Sequence, residues 1–592
     1  MKSHLMYKAF LISPDTIINE NLPVKVNLTD TYNLYLSEDI KYESYLYHED
    51  AVHILGYAFD DTVSIQNSYE VMKGILAEDL SSSSHYINHL NGSFVVIKVK
   101  DDNIEVFSDA AGFRSPYYTS DLKIVASHDK LIGDIYTKRK IHERINTLDY
   151  SRYEDVYKLV PSVKLTIGQD KVRIFPNDAL KSYNYQEILS EMKKNIKYLN
   201  QALNTIENKL LVGITGGLDS KCTLALTKQI KRPINTFTYM KDIYSIQEPR
   251  AKQIYKHDKM IVNRLVKNIN LNHEFIEFKV GDVTPEYSQN MYEITGTTFN
   301  HPIAEKFEEK YKKELEDVLQ FRSVIFSNAK FDYPLAYLNY QLTIKDVYEH
   351  LGHKQLIGKS YEEVVKLADA YFNRTKTPIE ETDIIKLLDI IHIDSRMGNW
   401  HSQLVKETDR VMDFFNYLND RQTLNLLLQL PIEIRNNHLF HKDLINTYWP
   451  ILNFFEDNGS GTLYDYEKQN CNQNINKSYG ISELFNIQQE LNREAMLLIP
   501  AVNLENTADM LYAFNINHPK ALKLKSAYKN EKGRNYIKVI INNEKETKEI
   551  DIVDLSKGYL LEANMTYTIE IKYQKATTTA SWVKAGTLYL VK

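Results

Sequence analysis

The chain has 592 residues, 43% of them hydrophobic and 25% charged, with a formal net charge of −6 at pH 7. That length accommodates roughly two to four domains with large buried cores. Charges of both signs are interspersed, which leaves no basic face for nucleic acid, and the only cysteines, Cys222 and Cys471, exclude a disulfide scaffold or a Cys-based zinc site.

The apolar core of residues 1–12 is too short for a signal peptide, and no later apolar run approaches membrane-spanning length. The expectation is a cytoplasmic protein without membrane contact. Residues 22–174 read mainly as strands, at 51–59, 91–99, 104–107 and 123–127, separated by polar turns, with a helix at 69–80 lying across the sheet. His85 and His89 stand four apart without a third ligand, which suits a solvated or capped pair better than zinc.

Residues 186–206 read as one helix, with Ile188, Met192, Ile196, Leu199 and Leu203 forming a core stripe. The apolar run Leu210-Leu211-Val212 then leads into Gly213-Ile214-Thr215-Gly216-Gly217-Leu218-Asp219-Ser220, and a helix opens at Lys221. A strand, a tight turn and a helix start follow one another. Gly216 and Gly217 lack Cβ atoms, so main-chain N–H groups can approach a ligand closely. Those groups and the helix dipole favour an anion, most naturally phosphate, with Ser220 adding a hydroxyl and Asp219 a carboxylate suited to Mg²⁺. Strands at 234–240 and 273–278, with a helix carrying Ile261, Leu265 and Ile269 between them, complete a parallel-sheet pattern. The end of the 234–240 strand, with Thr238, is expected to wall the adenine site. Asp258 is expected at the start of the intervening helix, either as a dipole partner or as an acidic site position.

The set Thr215-Gly216-Gly217-x-Asp219-Ser220 resembles the pyrophosphate loop of the N-type ATP pyrophosphatases, S-G-G-x-D-S, with Thr215 in place of the first Ser. Upstream, Leu90-Asn91-Gly92-Ser93-Phe94, residues 108–118, Ala126-Ser127 and Leu159-Val160-Pro161 resemble successive landmarks of a class II glutamine amidotransferase domain. Asparagine synthetases carry these two domains in this order. The resemblance implies ATP and Mg²⁺ as cofactors. The nucleophilic cysteine of such glutaminases is absent here: Lys2 follows the initiator, Ser3 has no evident base, and no cysteine precedes Cys222. The N-terminal domain is therefore expected to serve as scaffold or substrate wall.

Residues 320–333 occupy the place of the family's second signature, but without its glycines and its glutamate. Arg322 and Ser323 resemble an Arg-Ser pair of divergent relatives, and Asp332 is the nearby carboxylate. Arg322 is the candidate for holding a substrate carboxylate or the leaving pyrophosphate, Ser323 a substrate contact, and Asp332 with Asp219 the candidate metal ligands. In residues 392–403, Asp394, Arg396 and Asn399 are either substrate contacts or parts of a buried salt-bridge network. Asp409-Arg410 and Asp420-Arg421 resemble the elements that line the family's acceptor pocket. Among Arg435, His438, His441 and Lys442, Lys442 is the catalytic candidate near a reacting acyl-phosphate.

The expected fold is α/β with α+β: a layered β-rich amidotransferase-like domain (1–180), a parallel-sheet ATP pyrophosphatase domain with a helical extension (181–456), a linker containing a helix at 481–498 (457–499), and a small C-terminal β-sandwich (500–592). Two functions fit. One is an ATP-dependent amide-forming ligase that adenylates a small-molecule, sugar or peptide carboxylate and passes it to ammonia or an amine. The other is a silent scaffold that binds a protein partner through its C-terminal module, where Trp582, Tyr567, Tyr573 and Tyr589 are aromatic candidates.

Overall fold

The computed structural model describes residues 6–142, 148–177, 180–279, 281–298, 300–314, 317–338, 340–381, 383–457, 485–489, 495–500, 511–531, 534–574 and 588–591. Ser3, Cys471, Trp582 and most of the expected linker lie outside them. The fold is mixed α/β, with one parallel five-stranded sheet and four antiparallel sheets, and the chain forms two compact units, Met1–Leu463 and Tyr464–Lys592.

In the first unit the N-terminal β region stacks two six-stranded antiparallel sheets. The strand Leu90–Lys100 shows why. Its alternate residues Val95, Ile97 and Val99 join Phe10, Ile12, Leu34 and Leu36 of the facing sheet in one core. Phe94 and Val96 point the other way and pack with Val71, Met72 and Ile75 of the helix Ser68–Ala77. Both faces of this strand are buried, hence the nearly unbroken apolar run.

The parallel sheet has the strand order His273–Phe278, Ile234–Lys241, Lys209–Gly213, Val318–Arg322, Asp413–Asn416. The first strand in sequence therefore lies at the centre, and the order reverses between it and Val318–Arg322. In open α/β sheets a ligand crevice forms at the carboxyl ends of the strands at such a switch point. The helix Pro249–Ile269 begins nine residues before Asp258, so Asp258 sits in mid-helix and not at its start. Val262 and Leu265 bury its inner face in the sheet core.

The two layers of the first unit are joined by a buried polar seam. Arg421, fully buried, donates to the carbonyls of Ile87 (3.3 Å), Ser108 (2.8 Å) and Pro161 (2.7 Å). Burial pushes its guanidinium down to about 10. Asn419 donates to Asp109 (3.0 Å) and accepts from the Ala111 amide (2.9 Å). Arg114 bonds Asp409 at 2.6 Å and Asp413 at 3.4 Å. Asp409, through Arg114, and Arg421 thus join the two layers. The motifs are polar because backbone ends and strand edges meet there and need partners.

His85, which is exposed, and His89, which is half-buried, each face a carboxylate. Nε2 of His85 lies 3.0 Å from Asp60 and Nδ1 of His89 lies 3.1 Å from Asp61.

The second unit is a β-sandwich whose sheets order as Phe485–Gln489, Ala495–Pro500, Leu588–Val591, Leu522–Ser526, Tyr559–Leu561 and as Leu511–Asn517, Thr566–Tyr573, Ile537–Asn542, Thr547–Asp551. Alternate residues Ile537, Val539 and Ile541 face its core with Ile569, Ile571 and Leu590. The described parts of 481–498 are strands, so the expected helix there is wrong and the sandwich begins before residue 500. A short apolar run fits a buried strand as well as a helix turn, and periodicity cannot separate them.

Gly398 shows how tightly the seam is closed. A Cβ built there falls inside van der Waals contact of Pro161 Cδ, and one built on Gly112 (φ +71°) falls 2.9 Å from the Gly398 Cα. Gly398→Ala is expected to destabilise the chain by about 2–3 kcal/mol through overpacking. Gly352→Ala, whose Cβ would sit 3.5 Å from Val364 within a helix, is expected to stabilise by about 0.5–1 kcal/mol. Thermal unfolding midpoints of the two variants, moving in opposite directions, check both.

Candidate functional site

The central strand Lys209–Gly213 ends at the switch point, and its pairing continues one residue further through the Ile214 amide to the Phe237 carbonyl (2.8 Å). The bend that follows is held from inside. Ser220 Oγ accepts from the Thr215 amide (3.0 Å) and lies 3.0 Å from the Gly217 carbonyl, while Thr215 Oγ1 accepts from the Gly217 amide (3.1 Å). Gly217 then caps the helix Leu218–Leu226 with no side-chain cap bond. The first-turn N–H groups are therefore presented at the carboxyl end of the sheet. Gly217 has φ −83°, so its role is room and not a left-handed turn: a Cβ there would crowd Thr215 Oγ1 at 3.2 Å.

The hydroxyls of this segment work for the bend. Thr238 is buried and donates to the Ile214 carbonyl at 2.6 Å, which fixes the loop to the neighbouring strand. Ser220 does the same from the helix side. Both are positioning groups in this geometry.

Asp219 projects from the first helical turn and meets two basic side chains on one oxygen. Lys330 Nζ lies 2.7 Å and His441 Nε2 lies 3.1 Å from Oδ1. Burial pushes the carboxyl up, but the hydrogen bond from His441 and the charges of His441 and Lys330 outweigh it and hold the group below the usual carboxylate range. Lys330 follows the short 3₁₀ turn Val324–Ala329 after the strand Val318–Arg322. Its backbone is fixed by Arg435, which donates to the Lys330 carbonyl (2.8 Å) and forms a two-pronged pair with Asp389 (2.7 and 2.9 Å). Tyr333 adds a hydroxyl bond to Asp389 at 2.7 Å. Arg435 is thus a clamp.

Arg322 ends the strand beside the central one. Its guanidinium stacks 4.3 Å from the Phe414 ring and touches Gln320 at 3.4 Å. Burial lowers its pKa, and among the described residues no carboxylate pairs with it. Ser323 caps the following turn from a half-buried position. Lys442 is buried on the helix Leu439–Tyr448, one residue from His441, and its charge acts on Lys221.

Lys330 also lines a cavity of about 360 Å³. Asp332 and Arg396 line it too, so two residues singled out in the sequence meet there. Arg396 belongs to a π-helix, His392–His401, and lies over Trp400 with its guanidinium carbon 3.5 Å from the ring centroid. π-Helical turns are rare and recur at functional sites.

Asp394 and Asn399 face away from this chemistry. Asp394 is fully buried and accepts from Arg173 at 2.9 Å, and Asn399 donates to the Leu148 carbonyl at 2.8 Å. These two hold the π-helix against the N-terminal layer. Sequence reasoning did not single out Lys330, His350, Lys354 or His392. Lys330 stands two positions before Asp332, and only the strand order reveals that it faces Asp219. Among the described residues no group of three or more His, Cys, Asp or Glu converges as a metal site, and no helix is long and apolar enough to cross a membrane.

No protein-family model and no curated protein matches the chain. Among solved structures it is similar to a glutamine-dependent NAD+ synthetase from Acinetobacter baumannii in complex with ADP, at 13% identity over 38% of this chain, with a TM-score of 0.17. The chain spans about half (51%) of that protein. It is also similar to an NH3-dependent NAD synthetase from Campylobacter jejuni in complex with nitrate, at 15% identity over 36% of this chain and 95% of that one, with a TM-score of 0.18. A capsular polysaccharide assembling protein, CapF, from Staphylococcus aureus matches at 11% identity over 60% of this chain and 94% of that one, with a TM-score of 0.11.

The Asp219 contacts generate a pH prediction. A carboxyl held below its unfolded value contributes stability above that value and loses it as pH falls through the lowered one. Asp219→Asn is expected to cost about 1–2 kcal/mol at pH 7, and the difference from the parent chain is expected to shrink steadily below about pH 4. Urea unfolding of both chains across that range checks it.

Proposed function

We propose that this protein is an ATP-dependent amide-forming ligase of the asparagine synthetase-like kind, which activates a carboxylate as its adenylate. The observation that carries the reading is the Thr215–Ser220 bend, at the carboxyl end of the central strand of a 3-2-1-4-5 parallel sheet, with Lys330 and the strand end bearing Arg322 beside it. The first-turn N–H groups of the Leu218–Leu226 helix supply donors for the polyphosphate, and the dipole favours its charge.

In this reading a carboxylate oxygen attacks the α-phosphorus of ATP, and the bond from that phosphorus to the bridging oxygen of the leaving pyrophosphate breaks. The bend stabilises the charge that develops on the leaving group with donors already in place, so little reorganisation is needed. Lys330 and Arg322 offer cationic partners for the same oxygens. An amine or ammonia then attacks the acyl carbon, AMP leaves, and the nitrogen gives up its proton. In this reading the nitrogen comes from free ammonia, from a partner or from an amine on the substrate.

Mg²⁺ fits Asp219 as one protein ligand, since both basic contacts fall on Oδ1 and this metal commonly binds one or two carboxylates together with phosphate oxygens. Bound there, it would neutralise phosphate charge. Asp332 is exposed on the cavity side, and its partnership with Asp219 remains part of the proposal.

One observation favours the silent-scaffold reading: Asp219 already has internal basic partners, so the bend is electrostatically satisfied by the chain itself. Carboxylate-dependent ATP–pyrophosphate exchange separates the two. The ligase reading expects exchange with at least one acid of a broad panel, and Lys330→Ala is expected to reduce it about 100-fold or more. ATP binding without exchange on any acid would leave the scaffold.

A further inference from the structure

The cavity beyond Lys330 has a charge pattern that adenylation alone does not require. Its basic side chains come from three elements: Lys330 after the strand Val318–Arg322, Lys354 at the end of the helix Ile344–Lys354, and Arg396 on the π-helix. Lys330 is neutralised by Asp219, and the wall carboxylate Asp389 is neutralised by Arg435. That leaves Lys354 and Arg396 against a single carboxylate, Asp332. Among the described residues neither of these two cations is paired with a carboxylate. Partial burial alone lowers the Arg396 pKa, with no acidic neighbour raising it.

Two imidazoles complete the lining. His350 stands one helical turn before Lys354, and His392 one turn before Arg396. Burial, with the nearby cations, pushes both down to about 4, so at neutral pH each is uncharged and carries one N–H donor. The Arg396 guanidinium, a planar fork suited to oxyanions, sits over the Trp400 ring. A planar carboxylate has about four acceptor positions, whereas the three terminal oxygens of a phosphate monoester accept more bonds and carry nearly two charges at pH 7. Two cations and two neutral imidazoles offer more donors than one carboxylate can use.

We propose that this cavity binds a phosphoryl group, through Arg396 and Lys354 with His350 and His392, and that the acid presented to the bend is itself a phosphate ester. The second half deepens the ligase reading and rests on it; the anion site stands by itself. The cavity volume, about 360 Å³, falls in the range of small-molecule pockets. The other source of such an anion is free phosphate or pyrophosphate released at the bend, and the test separates these.

The full chain is titrated calorimetrically with inorganic phosphate and with pyrophosphate, each with and without saturating Mg–ATP. Phosphate is expected to bind in both conditions, and Arg396→Ala and Lys354→Ala are each expected to weaken it at least tenfold, with Arg396→Lys recovering part of the loss. No binding, binding abolished by ATP, or binding unchanged in the Arg396→Ala/Lys354→Ala double variant would overturn the site. Circular dichroism and the unfolding midpoint of each variant establish that a loss is not misfolding. The source is then read by ATP–pyrophosphate exchange with 3-phosphoglycerate against glycerate and O-phosphoserine against serine. A preference of tenfold or more for a phosphorylated acid, collapsing toward unity in Arg396→Ala, supports a substrate phosphate. Equal use of both forms, or tighter binding of pyrophosphate than phosphate with no such preference, overturns it in favour of a product site. Absence of exchange with every acid, alongside phosphate binding that depends on Arg396, would sink the ligase reading and the ester half while leaving the anion site in place.

Discussion

A fully buried guanidinium joins the layers of the first unit. Arg421 is sealed between the N-terminal sheets and the α/β layer, and its N–H groups go to the carbonyls of Ile87, Ser108 and Pro161. Buried carbonyls need donors, and the two terminal nitrogens of the guanidinium supply them. Around this point the seam extends through Asn419, Arg114 with Asp409, and the near contact of Gly112, Gly398 and Pro161. Removing one member would leave its partners unpaired in a dry interface, which is why the two layers behave as one compact unit.

The seam reaches the candidate site through the π-helix. Arg173 and the carbonyl of Leu148, both from the N-terminal layer, hold Asp394 and Asn399 on one side of that helix. Its remaining residues His392, Arg396 and Trp400 are thereby carried to the cavity wall. An N-terminal layer with no cysteine before Cys222 has a physical task all the same, which is to fix the wall of a neighbouring compartment. Such support suits a site whose groups must be held within a fraction of an ångström.

The second constraint is topological. Placing the first strand of the parallel sheet at its centre puts two loops, Thr215–Ser220 and the turn before Lys330, side by side at the switch point. Asp219, Lys330 and His441 come from three separated stretches and converge on one oxygen. The result is a cluster of opposite charges next to the helix N-terminus.

Local pattern was enough to locate most of this architecture in the sequence. Alternation in Ile537-Val539-Ile541, the stripe Ile188–Leu203 and the run Leu210–Val212 each report their own burial, because side-chain direction follows from strand or helix period alone. The two-glycine bend was legible for the same reason: its chemistry is contained in six consecutive residues. What only the tertiary structure decided were partnerships across the chain. Asp394 and Asn399 read equally well as substrate contacts or as parts of a buried network, and only the tertiary structure sets Arg173 and the Leu148 carbonyl beside them. Lys330 carried no local signal and His441 stood only as one of four late basic residues, since the meaning of both lies in which carboxylate they face. A period is a property of neighbours in sequence, whereas charge pairing depends on a distance in space that only the folded topology sets.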